Sequence, residues 1–288
     1  YEFRVLSIIS PRLDFAVRVI KMKSSMSVSQ AQEYEQKYGS ETIRFSPYAI
    51  KKLGLLQSQT LLKLEDYMLI CAPYQLSMSK VILLVILTPD EINFFQQFRS
   101  KLASLTIAFQ RQPSKTPMNL LIRGNLERIG PVKGRTNVCL MEVIYKSCPP
   151  DLVEIIGDYI MAYQALKTQF ENFKDRAVAI DPNSARTMRF NSYMECQLGA
   201  QKVPARLQSL SVNRMTLELP LSAPSLPAGQ ALAAKLYFQT YQFLVNGKVE
   251  ESAVTDKGRR RLTCSLEFSP ELVEIMDDYF FRMSFKKG

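Results

Sequence analysis

Apolar and polar positions along this chain form short, turn-bounded runs, with helical spacing in only a few places. The longest apolar run, Val81 to Leu87, has seven residues and stops at Thr88-Pro89-Asp90-Glu91. That reads as a buried strand ending at a helix N-cap. Toward the C-terminus, 194–198, 206–207, 215–219, 234–243 and 262–268 are short and strand-favouring, with turn residues between them. Val245-Asn246-Gly247-Lys248 predicts a hairpin, because a type I′ turn needs positive φ at both central residues and Asn-Gly tolerates it. Helical spacing is predicted for Ser29 to Tyr38, stopped by Gly39, and for two segments that begin at Pro150 and Pro270. Ser269 supplies an N-cap hydroxyl and Pro270 a preset helical φ, so the last helix should run to about Met283.

Those two proline-led helices are copies. Pro150-Asp151-Leu152-Val153-Glu154-Ile155-Ile156-Gly157-Asp158-Tyr159-Ile160 returns as Pro270-Glu271-Leu272-Val273-Glu274-Ile275-Met276-Asp277-Asp278-Tyr279-Phe280, identical at seven of eleven positions. A second match, Leu76 to Leu83 against Leu210 to Leu217, lies earlier in both halves and in the same order. Two collinear matches indicate a tandem duplication. The expected fold class is mainly β with helices: two tandem antiparallel β-barrels, each followed by a C-terminal helix. The expected organisation is an N-terminal extension over 1–44, a first barrel with a long bridging helix over 45–174, and a second barrel over 175–288. The extension carries apolar Phe15, Val17, Val19 and Ile20, which should dock on the first barrel. The helix from Pro150 continues through Tyr163, Leu166 and Phe170, further than a lid requires, and so should carry the chain onward. Asp181-Pro182-Asn183-Ser184 reads as the linker between the domains.

Composition narrows the chemistry. A length of 288 residues suits two domains, and no run approaches a membrane span. The chain has no histidine, and its five cysteines are scattered without a C-x-x-C pair. Histidine-based nucleophilic or general-base catalysis is excluded, no metal site is expected, and the cysteines read as buried thiols in a reducing cytoplasm. There is no P-loop and no G-x-G-x-x-G, so an enzyme is not expected. The net charge is +10 without a basic tail. The densest basic stretch, Arg111, Lys115, Arg123, Arg128, Lys133 and Arg135, is interleaved with apolar residues that should split the charges between strand faces. A second cluster is Arg259-Arg260-Arg261.

Arg186-Thr187-Met188-Arg189-Phe190, then a strand, then Ser209-Leu210-Ser211-Val212-Asn213-Arg214 resembles the PilZ domain. The two-domain order resembles a spirochaetal architecture in which a PilZ-like module precedes a PilZ domain. The resemblance implies a six-stranded antiparallel barrel with a C-terminal helix, which typically binds cyclic di-GMP through R-x-x-x-R and [D/N]-x-S-x-x-G. It places the candidate ligand residues at Arg186, Arg189, Ser209, Ser211 and Arg214. Both motifs depart from the family pattern. With Arg189 as the second arginine the first falls on Ala185, Ser209 stands at the acidic position, and Arg214 replaces the glycine. The first copy has Gln75-Leu76-Ser77-Met78-Ser79-Lys80 in the equivalent place.

The expectation is therefore a non-enzymatic, cytoplasmic signalling or adaptor protein that acts through protein partners. Cyclic di-GMP should bind weakly or not at all, and no cofactor is expected. The alternatives are a basic β-barrel that binds nucleic acid, and a working cyclic di-GMP receptor with a non-standard arginine register. Evenly spread charge and the absence of tryptophan speak against nucleic acid.

Overall fold

A computed structural model describes residues 28–111, 116–198, 201–239 and 241–285. The chain divides into two compact units between Ile160 and Met161. In the first, α1 (Val28–Tyr38), β1 (Ile43–Arg44) and α2 (Pro47–Leu53) precede β2 (Leu61–Leu64), β3 (Tyr67–Ile70), β4 (Ala72–Leu76) and β5 (Lys80–Ile86). Then follow α3 (Pro89–Gln96), β6 (Leu102–Phe109), β7 (Met118–Pro131) and β8 (Val138–Tyr145). The next helix, α4 (Pro150–Phe173), begins in this unit and ends in the other.

The first unit's strands form one sheet in the order β1-β4-β5-β8-β7-β6-β2-β3. β3 pairs with β2 and β4 pairs with β5, yet β3 and β4 are one run of chain interrupted only at Cys71. The ring of strands closes through that run. Alternate side chains fill the interior, among them Leu62, Leu64, Val81, Leu83, Leu105, Ile107, Ile122, Met141 and Val143. The predicted apolar strand is β5, and Thr88 then caps α3: its side chain accepts from the Glu91 N–H, and the Glu91 carboxylate accepts from the Thr88 N–H at 2.7 Å. The first turns of α4 bury Leu152, Val153, Ile155, Ile156 and Ile160, and α1 joins the same core through Tyr34 and Tyr38. The docking expected of Phe15, Val17, Val19 and Ile20 lies outside the described residues.

The second unit contains the end of α4, β9 (Val178–Ala179), α5 (Pro182–Met188), β10 (Phe190–Leu198), β11 (Gln201–Leu210) and β12 (Arg214–Pro220). It continues with β13 (Ala231–Phe238), β14 (Gln242–Val254), β15 (Arg259–Leu266) and α6 (Pro270–Phe285). The order is β10-β13-β14-β15-β12-β11-β9, and a further pairing of β10 with β11 closes six strands into a barrel. As predicted, α6 starts at Ser269 and Pro270, with the Leu272 N–H donating to Ser269 Oγ at 3.3 Å. The extra apolar positions of α4 find cover in this unit. Tyr163 and Phe170 meet Phe268 edge-on at 5.6 and 5.3 Å, Leu166 is buried, and Phe173 lies 5.1 Å from Phe280. The Arg176 guanidinium sits 3.7 Å over the Phe280 ring.

The two units share irregularities as well as strands. β1 pairs with β4 at Ile43↔Leu76, and β9 pairs with β11 at Val178↔Leu210. A capped helix follows each, α2 after Ser46 and α5 after Asp181, and both end in a left-handed cap, at Gly54 and at Arg189. A β-bulge lies between Pro73 and Gln75 in one and between Leu207 and Ser209 in the other. A second bulge lies between Leu126 and Arg128, matched between Val249 and Glu251.

Three expectations are corrected. Asn246-Gly247 is no turn: burial alternates without a break from Phe243 through Val245 and Gly247 to Val249, so β14 runs straight through. The hairpin bends instead between Phe238 and Gln242, and Gly247 is required because a Cβ there would lie 2.1 Å from the Ser265 carbonyl oxygen. Asp181-Pro182-Asn183-Ser184 is no linker but a helix start, since Asp181 accepts from the Asn183 and Ser184 N–H groups at 2.8 and 2.7 Å. The charges of β7 are not split, because the bulge shifts the alternation and turns Arg128, like Arg123, outward. Lys115 lies outside the described residues.

Candidate ligand site on the second barrel

The five candidate residues sit on three features: the end of α5, the bulge of β11, and the turn from β11 to β12. β9 ties the start of α5 to the bulge, because Ala179 lies opposite Ser209 and the Ile180 N–H donates to the Gln208 carbonyl at 2.8 Å. Ser184 Oγ donates to the Ala179 carbonyl at 2.8 Å and so holds the start of α5 against that short strand.

Arg186 is exposed in the last turn of α5. Ala185, where the family register puts its first arginine, is 4 % exposed and faces the core. The helix thus turns its one-residue offset into a change of face: position 185 is inward and position 186 outward. Arg189 is exposed and caps the helix at φ 60, ψ 32, a conformation that L side chains adopt at a cost. Its carbonyl accepts from the Gln239 N–H at 3.0 Å. Nearby, Tyr241 stacks with Phe238 and Phe243. Burial, with Glu274, Asp278 and Glu271 of α6, pushes its phenol up to about 12, and Arg189 opposes the shift.

The serines have structural work in this fold. Ser209 is half-buried at the bulge, opposite Thr216. Ser211 is 2 % exposed; its hydroxyl donates to Asn213 Oδ1 at 2.9 Å and accepts from the Arg214 N–H at 3.0 Å. Ser77 does the same in the first unit, accepting from the Ser79 and Lys80 N–H groups at 3.2 and 3.1 Å. In both hairpins the serine staples the turn.

The cation that follows is also used in both copies. Arg214 Nη2 lies 2.9 Å from Glu250 Oε2, and Lys80 Nζ lies 2.7 Å from Glu142 Oε1. Glu250 was not legible in the sequence, because it stands in the bulge of β14, where strand alternation gives no guide to direction. The Arg259-Arg260-Arg261 cluster is likewise engaged. Arg259 and Arg261 share Glu218 at 4.0 and 3.5 Å, and Arg260 donates to the Pro224 carbonyl at 2.8 Å.

Residues 29–163 match the family model of the PilZN3 domain, which takes in α1, the whole first barrel and the start of α4. The resemblance to the PilZ family is borne out over those residues. Among solved structures, Borreliella burgdorferi PlzA in complex with c-di-GMP is 15% identical, with 88% of this chain and 98% of that one covered and a TM-score of 0.42. The Bacillus subtilis inhibitor of motility MotI/DgrA is 12% identical, covering 79% and 96% at a TM-score of 0.30. Escherichia coli YcgR in complex with c-di-GMP is 11% identical, covering 85% and 93% at 0.29. No curated protein matches the chain. Among the described residues no helix is long and apolar enough to cross a membrane.

Proposed function

We propose that this PilZN3-domain protein is a non-enzymatic signalling component whose second barrel has a degenerate cyclic di-GMP site, and that it works through a protein partner. The observation that carries the reading is the β11–β12 turn. Its serine hydroxyl and its cation are engaged by Asn213, the Arg214 N–H and Glu250; Ser77 and Lys80 are engaged in the first unit too, Lys80 by Glu142 on the neighbouring strand β8. A ligand at this turn would have to displace an ion pair, and Arg214 puts a long side chain where the family has a glycine.

The energetic consequence is large. Losing one charge-assisted contact costs about 1.5–3 kcal/mol, and losing the acid that reads a guanine edge costs a similar amount. Together, on the order of 3–5 kcal/mol moves a micromolar site toward millimolar. Calorimetric titration with cyclic di-GMP at physiological salt should show no binding tighter than about 100 μM. Ser209→Asp combined with Arg214→Gly, which restores the acid and the glycine, should tighten it at least about tenfold. A submicromolar constant for the unaltered chain would instead establish a receptor built on exposed Arg186 and Arg189. A single-stranded oligonucleotide bound tightly and released steeply by salt would favour the nucleic-acid reading.

A further inference from the structure

Among the described residues, the same strand edge is guarded in one unit and left without a partner strand in the other. The first residues of β11, Gln201 to Ala205, pair with β10 as β3 pairs with β2. Leu64↔Tyr67 in the first hairpin corresponds to Leu198↔Gln201 in the second, so Met68 stands where Lys202 does and Ile70 where Pro204 does. Lysine and proline are the residues that stop a strand edge from pairing with another chain. In the first unit both are replaced by large apolar side chains, 64% and 73% exposed.

Further apolar side chains are exposed on the same sheet. Ile70 lies opposite Leu61, Leu61 opposite Thr106, and Thr106 opposite Leu121, which is 62% exposed. Tyr67, at 44%, packs edge-on against Phe94, at 41%, with ring centroids 5.1 Å apart. Lys63 lies opposite Met68 and Thr106 stands between Leu61 and Leu121, so the exposed apolar surface at the edge itself is Met68 and Ile70, the kind of position at which another strand can add. The β3 segment Tyr67-Met68-Leu69-Ile70 contains no charged residue.

We propose that β3 is the interface at which two copies of this chain pair, antiparallel, with Leu69 on the two-fold axis. In that register Met68 of one copy lies opposite Ile70 of the other, twice, so outward apolar side chains meet outward apolar side chains. The strand is its own complement in a way that needs no second sequence. Tyr67, Met68 and Ile70 beside the edge offer roughly 350 Å² per copy, well below the ~800 Å² per partner of a standard stable interface, so the pairing rests chiefly on backbone hydrogen bonds and forms reversibly with concentration. Each chain carries +10, so the copies repel, and added salt strengthens the pairing by screening that repulsion. An acidic partner on the same edge would show the opposite salt dependence.

Sedimentation analysis from about 1 to about 200 μM, at about 0.1 M and about 0.5 M salt, tests this on the full chain. The expected result is a monomer–dimer equilibrium favoured at the higher salt. Met68→Lys with Ile70→Pro transplants the second unit's own guards and should weaken the dimer at least about tenfold, while thermal unfolding reports whether the barrel remains folded. Leu69→Cys provides an independent reading. Opposed Cα atoms in an antiparallel pair lie about 4.5–5.5 Å apart, within disulfide range, so mild oxidation should link this variant as a dimer but not the parent chain. A chain that stays monomeric throughout, a guarded double variant that dimerises like the parent, or a Leu69→Cys chain that does not cross-link would each overturn the proposal.

Discussion

Gly54 and Arg189 occupy one structural position in two copies of a fold, and substituting each tests what that position costs. Gly54 has φ 69 and ψ 30, Arg189 has φ 60 and ψ 32, and each carbonyl accepts from the N–H that follows a long strand. The difference lies in distance: Gln110 N to Gly54 O is 2.6 Å, and Gln239 N to Arg189 O is 3.0 Å. A Cβ on Gly54 would lie 2.2 Å from the Gln110 carbonyl oxygen and 2.9 Å from its carbon, both backbone atoms that cannot rotate away. The second unit carries a side chain at the same position, where the corresponding hydrogen bond is longer.

Gly54→Ala therefore meets two penalties. The left-handed conformation costs about 1–2 kcal/mol for an L residue, and relieving the contact weakens the Gln110 hydrogen bond, worth about 1 kcal/mol. The first unit should lose about 2–4 kcal/mol. Arg189→Gly removes only the conformational penalty and should stabilise the second unit by up to about 1 kcal/mol. Two units need not unfold together, so the assay is urea unfolding followed by hydrogen exchange resolved along the chain. A Gly54→Ala protein within about 0.5 kcal/mol of the parent, or a destabilising Arg189→Gly, would refute the shared-position argument.

Burial holds the thiols of Cys71, Cys148, Cys196 and Cys264 up at about 12 from an ordinary 9.0. The folded state keeps its protons longer than the unfolded state, so stability is full below about pH 9 and lost as pH rises toward 12; a flat urea midpoint from about pH 8 to about pH 11 would contradict this. Buried Cys71, Cys196 and Cys264 should react with a disulfide reagent only as fast as the chain unfolds, and rapid labelling of more than one would show that the barrels are open. Glu218→Ala should cost the second unit about 1–2 kcal/mol, because a 10%-exposed carboxylate loses Arg259 and Arg261, which are themselves about half exposed; an unchanged melting midpoint would mean that the pairs contribute nothing.

The duplication and the closing helices were legible because they are written in local terms: a proline-led helix start, an apolar face at helical spacing, an alternating strand. The resemblance to PilZ was legible from the order of two short motifs. What escaped the sequence depends on partners far along the chain. Asn246-Gly247 carries a turn signal, but tertiary packing against Ser265 overrides it, and glycine is there for the close approach. Asp181-Pro182 is compatible with both a loop and a capped helix, and only the Ser184 side chain, donating to Ala179, decides between them. Bulges insert one residue and reverse the faces of everything after it, so neither the outward turn of Arg128 nor the reach of Glu250 to Arg214 follows from alternation.

The differences between the copies point in a consistent direction. At the helix cap the first unit has a strain-free glycine and the second an arginine held in the left-handed region. At the strand edge the first unit has Met68 and Ile70 and the second Lys202 and Pro204. The fold accepts the quieter residue at each position, since one copy contains it. A strained, exposed guanidinium beside an aromatic stack serves recognition better than stability, and an unguarded apolar edge serves association better than solubility. The reading that unites them gives the first unit the role of assembly and the second that of recognition. The two sites are then separable by mutation: Met68→Lys with Ile70→Pro should leave any ligand or partner of the second barrel bound per chain as before, while Arg189→Gly should leave the oligomeric state untouched. If one substitution set moved both properties, the division of labour would fail, even with each site standing individually.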